Sequence, residues 1–318
     1  MFLLRGPILA LSKSAAVRDA VTGFPPTRSV VDRFVAGETT DNAVSAVRRL
    51  TAAGIAVTLD HLGEDVTAAQ QADATAAAYL ALVDALSRAG LAEGAELSLK
   101  LSALGATLPA GATVPDGGEA YAHAAARRIV RAAYQSGARV TLDMEDHTTV
   151  DATLRTLKSL RGDFPDVGVA IQAMLHRTET DLAGLIGVGS RVRLVKGAYQ
   201  EPASVAHTAP AEVDRAYVRA LGRLMAGDGY PMVASHDPRI IAIAGQLAAR
   251  AGRGPADFEH QMLYGIRSDE QRRLVAARRT VRVYVPYGSD WYGYFTRRLA
   301  EKPANLLFFL RALVSRGR

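Results

Sequence analysis

IAVTLDHLGE, residues 55–64, begins as an apolar strand and ends on the carboxylates Asp60 and Glu64. A strand packed in a core gains nothing from ending in charge, unless its end opens onto water or a ligand. The same pattern returns in ELSLKLS (96–102), ARVTLDME (138–145), VGVAIQAM (167–174), RVRLVKG (191–197), PMVASHD (231–237), FEHQML (258–263) and VRVYVPYG (281–288). Each is followed by a stretch of helical composition. Eight alternating strand–helix units are the signature of a closed parallel barrel, an α/β fold of the (βα)8 TIM type. In that architecture the C-terminal strand ends share one rim, and the rim carries the active site. The residues collected there are Asp60 and Glu64, Lys100, Asp143 and Glu145, Gln172, Arg193 and Lys196, His236 and Asp237, Gln261 and Tyr284. So many charges on one rim predict a polar site for an anionic ligand, and therefore an enzyme.

The 318 residues suit one large barrel, and 49% hydrophobic content supplies a substantial core. The chain has no cysteine, which excludes disulfides, thiolate nucleophiles and thiolate metal sites. The net charge of +6 comes from arginines dispersed along helices, such as Arg127, Arg128 and Arg131. They form no basic patch interleaved with aromatics, so no nucleic-acid partner is predicted. No apolar run is long enough to span a bilayer. Arg5 interrupts the apolar patch near the start, and no cleavage site follows, so no signal peptide is predicted. These features predict a cytoplasmic protein.

Residues 1–54 read as an N-terminal helical segment covering the bottom or side of the barrel, and 55–318 as the barrel domain with its terminal helices. Thr39, Thr40 and Asp41 offer an N-cap to AVSAVRRLTAA (43–53), and Gly54 stops it. TAAQQADATAAAYLALVDALSRAG (67–90) is the first barrel helix. The loop GATLPAGATVPDGG (105–118) lies on the active-site side as a candidate lid. Pro303 breaks the last barrel helix, and ANLLFFLRALVSR (304–316) forms a terminal amphipathic helix. There is no GxGxxG or Walker A sequence, which argues against a Rossmann nicotinamide site or a P-loop.

Within RLVKGAY (193–199), Arg193 and Lys196 are an odd number of positions apart, so a regular strand turns them to opposite faces. Lys196 then reaches a shared ligand only from the strand end. Gly197 and Ala198 leave room for something flat to approach the backbone. The pair reads as an anion or cofactor clamp, or as a salt bridge with Asp143 or Glu145. In YFTRRLAE (294–301), helical spacing brings Tyr294, Arg297 and Arg298 to one side, and Glu301 can orient Arg297. Two guanidiniums favour a carboxylate, which they bind through paired hydrogen bonds. Lys100 inside a barrel requires a carboxylate partner, with Asp143 and Glu145 as the candidates. His236 and Asp237 read as a catalytic dyad or a metal pair, or His236 alone as a hydrogen-bonded rim histidine or a cofactor contact. No histidine spacing supports a metal site.

DHLGE (60–64), SLKLSAL (98–104), LDMED (142–146), IQAM (171–174), RLVKGAY, SHD (235–237), FEHQMLYGIR (258–267), VYVPYG (283–288) and YFTRRLAE resemble the motifs of the proline dehydrogenase family. One such motif would carry little; in this order, nearly all at strand ends, they are specific. The chain resembles a compact, monofunctional member. The resemblance implies a distorted (βα)8 barrel with FAD at its C-terminal rim and the last barrel helix over the mouth. It implies oxidation of L-proline to 1-pyrroline-5-carboxylate, with hydride transfer to FAD N5 and electrons passed to a membrane quinone. It implies that Arg297, Arg298 and Lys100 hold the proline carboxylate. Tyr284 and Tyr294 would wall the ring, with Leu263 and Asp143 beside it. Gln172, Arg193, Lys196, Gly197, Ala198, Ser235, His236 and Glu301 would bind the cofactor, and Glu64 would pair with Arg297 as a gate. The catalytic set is then Lys100, Asp143, Tyr284, Arg297 and Arg298, with no metal. Arg193 is the candidate for the cation beside the flavin N1–C2=O edge. The terminal helix either docks on the barrel or makes a peripheral contact with the inner face of the cell membrane. The competing reading is a Schiff-base aldolase barrel with Lys196 or Lys100 as nucleophile.

Overall fold

All four side chains of Glu96–Leu99 are buried, the charged one included. A sheet with one wet face could not bury both sets of alternating side chains. The computed structural model, which describes residues 31–64 and 66–295, shows what covers them. Eight parallel strands close into a barrel in chain order. They are β1 (Ala56–His61), β2 (Glu96–Leu99), β3 (Arg139–Leu142), β4 (Gly168–Gln172), β5 (Arg191–Val195), β6 (Tyr230–Ala234), β7 (Glu259–Leu263) and β8 (Val281–Tyr287). Closure runs through six register pairs between β1 and β8, from Ala56↔Arg282 to His61↔Tyr287. Both faces of every strand are therefore covered, by helices outside and by other strands inside.

Alternate residues divide the work. Leu59, Leu97, Leu99, Leu142 and Leu194 are fully buried in the layer beneath the helices. Each contributes about 1.5–3 kcal/mol on burial. The intervening positions, among them Thr58, Glu96, Ser98, Arg193 and Gln261, are equally inaccessible yet polar. They face the lumen, where they bond to one another across the barrel.

The helices are α1 (Thr40–Ala52), α2 (Ala69–Arg88), α3 (Gly117–Gln135), α4 (Val150–Arg161), α5 (Thr178–Ala183), α6 (Pro210–Ala226), α7 (Pro238–Arg250) and α8 (Ser268–Ala276). Thr39 and Asn42 form a reciprocal capping box that starts α1. α1 packs on β1, β8 and α2, so it covers the side of the barrel at its seam rather than the bottom. Its Ala43, Ala46 and Val47 belong to the main core.

Element ends differ from the sequence reading where glycine intervenes. β2 stops at Leu99 instead of residue 102, and a 3-10 turn at Ser102–Leu104 ends on Gly105 in the left-handed region. α5 is short, Thr178–Ala183, because Gly184 and Gly187 are poor helix formers. The 105–118 loop folds back on itself: Gly118 N–H donates to the Leu108 carbonyl at 3.0 Å, and Leu108 and Val114 are buried.

A second apolar cluster lies at the barrel mouth. Val31, Phe34 and Val35 pack with Leu62, Trp291, Tyr292, Tyr294 and Phe295. The segment is stitched to β8 by Ala36 N–H to the Pro286 carbonyl (2.9 Å) and Gly288 N–H to the Gly37 carbonyl (3.0 Å). Arg297, Arg298, Glu301, the terminal helix at 304–316 and residues 1–30 lie outside the described residues.

Candidate active site

The end of β1 and the turn after β2 make the first half of the site. Asp60 is the fifth residue of β1 and 1% exposed, while Lys100 follows the last residue of β2. Neighbouring strands bring them together: Lys100 Nζ donates to Asp60 Oδ2 at 2.8 Å and Oδ1 at 2.9 Å. Glu64 Oε1 lies 3.7 Å from the same ammonium. The partner of Lys100 is therefore Asp60, supported by Glu64, and not Asp143 or Glu145. Glu145 is occupied elsewhere, accepting from the Ser102 N–H (3.0 Å) and the Ser102 hydroxyl. Burial works against the lysine's charge, but Asp60 and then Asp143 outweigh it and hold Lys100 protonated well above the ordinary lysine range.

Asp143, just past β3, is the centre of the second half. Its Oδ1 accepts from Arg193 Nη1 (2.6 Å) and the Ser98 hydroxyl (2.8 Å), and its Oδ2 from the Tyr284 hydroxyl (2.9 Å). The Arg193 guanidinium also sits over the Tyr284 ring, 5.4 Å from its centroid. Tyr284 is kept a neutral phenol, its pKa driven well above the usual value by burial and then by Asp143. Arg193 is 3% exposed. Four of its five N–H groups are directed to Gln261, Ser98, Asp143 and Glu96. Burial opposes its charge, and Asp143 and Glu96 more than compensate.

The expected separation of Arg193 from Lys196 holds. Arg193 points into the lumen, whereas Lys196 lies beyond the end of β5 and pairs with Asp214 (2.5 Å) and Asp237 (3.5 Å). Neither carboxylate was among its expected partners. Gly197 takes φ +111°, and a Cβ there would fall 2.4 Å from Met174 Sδ, so the position admits only glycine. Gln172, at the end of β4, donates Nε2 to the Glu145 carbonyl at 2.7 Å. Ala198, next to Gly197, is exposed.

After β6, the Ser235 hydroxyl accepts from the Asp237 N–H at 3.1 Å, and Asp237 caps α7 by accepting from the Arg239 N–H. Asp237 is thus a helix cap and an ion-pair partner rather than half of a dyad with His236. Its side-chain bond to Arg239 keeps it well below the usual carboxylate range. His236 accepts the Leu263 N–H at Nε2 (2.9 Å), which fixes both the ring and the end of β7. Tyr294 is buried in the mouth cluster.

Sequence reading missed the layer beneath the rim. Glu96, Ser98, Arg191, Glu259 and Arg282 are buried in the lumen. Arg191 and Arg193 both reach Glu96, at 3.1 and 2.8 Å, and Arg282 pairs with Glu259 at 2.8 Å. The signal was present: each stands two residues before a rim residue or another lumen residue, in strands whose outward positions are mostly apolar.

A (βα)8 barrel whose strand ends converge on shared, buried, ionised groups defines a barrel enzyme. A family model for Proline dehydrogenase matches residues 43–311, and the chain belongs to that family. It is 40% identical over 288 residues to Proline dehydrogenase of Deinococcus radiodurans, covering 90% of each chain. It is 36% identical to Proline dehydrogenase 1 of Bacillus subtilis strain 168, over 99% of this chain and 100% of that one. The fold is similar to that of proline utilization A from Bdellovibrio bacteriovorus, with TM-score 0.78 and 24% identity. The match covers 86% of this chain and 33% of that larger one.

Proposed function

We propose that this chain oxidises L-proline to 1-pyrroline-5-carboxylate with bound FAD as hydride acceptor and a membrane quinone as final electron acceptor. The observation that carries the reading is the pair of buried sets at the mouth, Lys100–Asp60 and Asp143–Tyr284–Arg193, in a chain of this family. Lys100, with Arg297 and Arg298, holds the substrate carboxylate, and Asp60 keeps the ammonium charged and aimed. Leu263, Tyr284 and Tyr294 enclose the ring, and Asp143 fixes the Tyr284 hydroxyl. Oxidation at the ring carbon beside nitrogen demands alignment and a neutral amine, whose lone pair expels the hydride; it needs no strong protein acid. Glu64 serves as the gate at the mouth, through Arg297.

The donor set suits a flavin dinucleotide. Gln172, Arg193, Lys196 and His236 offer an amide, two cations and an imidazole from the consecutive strand ends of β4, β5 and β6, around the bare backbone of Gly197. Ser235, Ala198 and Glu301 complete that set. When bound, FAD supplies the two-electron acceptor. The aldolase reading loses ground here, since a Schiff-base lysine must shed its proton and Lys100 is held charged by Asp60.

No helix among the described residues is long and apolar enough to cross a membrane. Access to the quinone rests on a peripheral contact of the 304–316 segment with the inner face of the cell membrane. Purified protein is expected to carry flavin absorbance that denaturation releases and that anaerobic L-proline bleaches. A colourless protein that FAD cannot reconstitute sinks the reading. Absence of sedimentation with anionic vesicles at low salt sinks the membrane contact alone.

A further inference from the structure

We infer that Glu96, deep in the barrel, is a positioning residue for Arg193: it shares the guanidinium with Asp143 and so sets how strongly that cation acts at the mouth. Glu96 is 0% exposed. Its Oε1 accepts from Arg193 Nη2 (2.8 Å) and from the Thr58 hydroxyl (3.0 Å), and its Oε2 from Arg191 Nη2 (3.1 Å). Arg191 is held in turn by stacking over the Tyr230 ring, 4.6 Å from its centroid. The carboxylate is thus locked from β1 and β5 at once. Arg193 spans the two layers, with Nη2 bonded down to Glu96 and Nη1 bonded up to Asp143 (2.6 Å). Gln261 fixes its Nε from the side at 2.8 Å, and Gln261 is itself tied to Glu259 at 2.6 Å.

The charges of this network balance: Arg191, Arg193 and Arg282 face Glu96, Asp143 and Glu259. Removing the Glu96 charge leaves one cation uncompensated in a region that water does not screen. Arg193 is then free to give its whole charge to Asp143 and to whatever binds above it. A ligand that gains negative charge during reaction is stabilised by that change. Glu96 also fixes the guanidinium's plane, through a bond that asparagine or glutamine cannot make with the same strength.

This inference rests on the proposed binding of FAD and proline at the mouth, and the test separates the two. The wild-type holoenzyme is first checked for bleaching by L-proline; failure there removes the functional reading, not the network. The midpoint potential of bound FAD is then measured by spectroelectrochemistry, with the FAD dissociation constant and the melting temperature alongside. Glu96→Gln is expected to raise the potential by at least a tenfold shift in the two-electron equilibrium, about 30 mV. Glu96→Asp keeps the charge but withdraws it from Arg193, and is expected to shift the potential the same way by less. Glu96→Gln/Arg191→Gln restores charge balance and is expected to return the potential toward wild type. A lost melting temperature with an unchanged potential would show Glu96 to be structural only. If Glu96→Gln does not fold, an unchanged potential in Glu96→Asp overturns the inference equally.

Discussion

Lys100 shows how one residue's role follows from its neighbours' geometry. Its ammonium and Asp60 are both withdrawn from water, with side-chain exposures of 11% and 1%. Removing one partner of a buried pair leaves the other charge uncompensated, at about 3–5 kcal/mol. Lys100→Met is therefore expected to lower stability by that order and to raise the KM for proline. Adding Asp60→Asn removes the stranded charge and is expected to recover most of the stability but none of the proline affinity. A urea titration with steady-state kinetics checks both; recovered KM in the double variant would refute the substrate role. Arg297→Lys and Arg298→Lys are each expected to weaken proline binding by about 1.5–3 kcal/mol through loss of a bidentate contact. Unchanged KM in both variants would remove the carboxylate role. Lys100, Asp143, Arg193 and Tyr284 were legible in the sequence because polar residues stand within or just past otherwise apolar strands. Their partners were not. Asp60 becomes the partner of Lys100 only when β1 and β2 lie side by side, and Glu96 meets Arg193 only when β2 and β5 face each other across a closed lumen.

The eight strands were readable because β-branched and aliphatic residues alternate with polar ones at period two, and the order of strands follows from right-handed βαβ crossovers. Strand ends were read less well at β2 and β5, where Lys100 and Lys196 fall past the last paired residue. Pairing ends there because the backbone turns, a tertiary event that propensity does not report. β7 carries a testable consequence. His260 alternates with the lumen residues Glu259 and Gln261 and so faces the helix layer, 5.3 Å ring to ring from Phe258. It is 3% exposed, and its Nδ1 has no hydrogen-bond partner. Burial first, then Arg279, lowers its pKa from 6.5 to about 4. Above the unfolded value both states are neutral and the residue is silent. As pH falls from about 6.5 to about 4, the unfolded chain takes a proton that the folded chain refuses, so stability is lost; below that both are protonated and the loss levels off. The loss amounts to about 3 kcal/mol. Urea midpoints from pH 8 to pH 4 are expected to fall less steeply in His260→Leu than in wild type. Parallel pH profiles would show that His260 charges freely in the fold.

At the scale of the whole molecule, the chain does not leave its barrel at α1; residues before it return to the mouth. That route was invisible in the sequence: Val31, Phe34 and Val35 have helical spacing, but nothing in VVDRFVAGE (30–38) names the mouth as their partner, and most of their contacts lie more than 200 residues away. The dock depends on one glycine. Gly265, in the turn after β7, has φ +71°, and a Cβ there would stand 1.6 Å from the Arg33 carbonyl oxygen. No side-chain rotation relieves an overlap with backbone, so Gly265→Ala must displace the 31–37 segment or the turn, in addition to about 1 kcal/mol of left-handed strain. Phe34, 3% exposed and 6.3 Å from the Phe295 ring, is the segment's main apolar anchor. If Phe34 were part of the cooperative core, Phe34→Ala would lower global stability by about 3–5 kcal/mol. The segment packs in its own small cluster, separate from the main core, so it is expected to open as a local unit before the barrel does. Both substitutions should then raise amide exchange in residues 31–37 and 291–295, while β1–β8 keep their protection. Because either one releases the same segment, the double variant should exchange no faster there than the more severe single variant. Exchange that rises equally in the barrel strands would mean that mouth and barrel unfold as one unit.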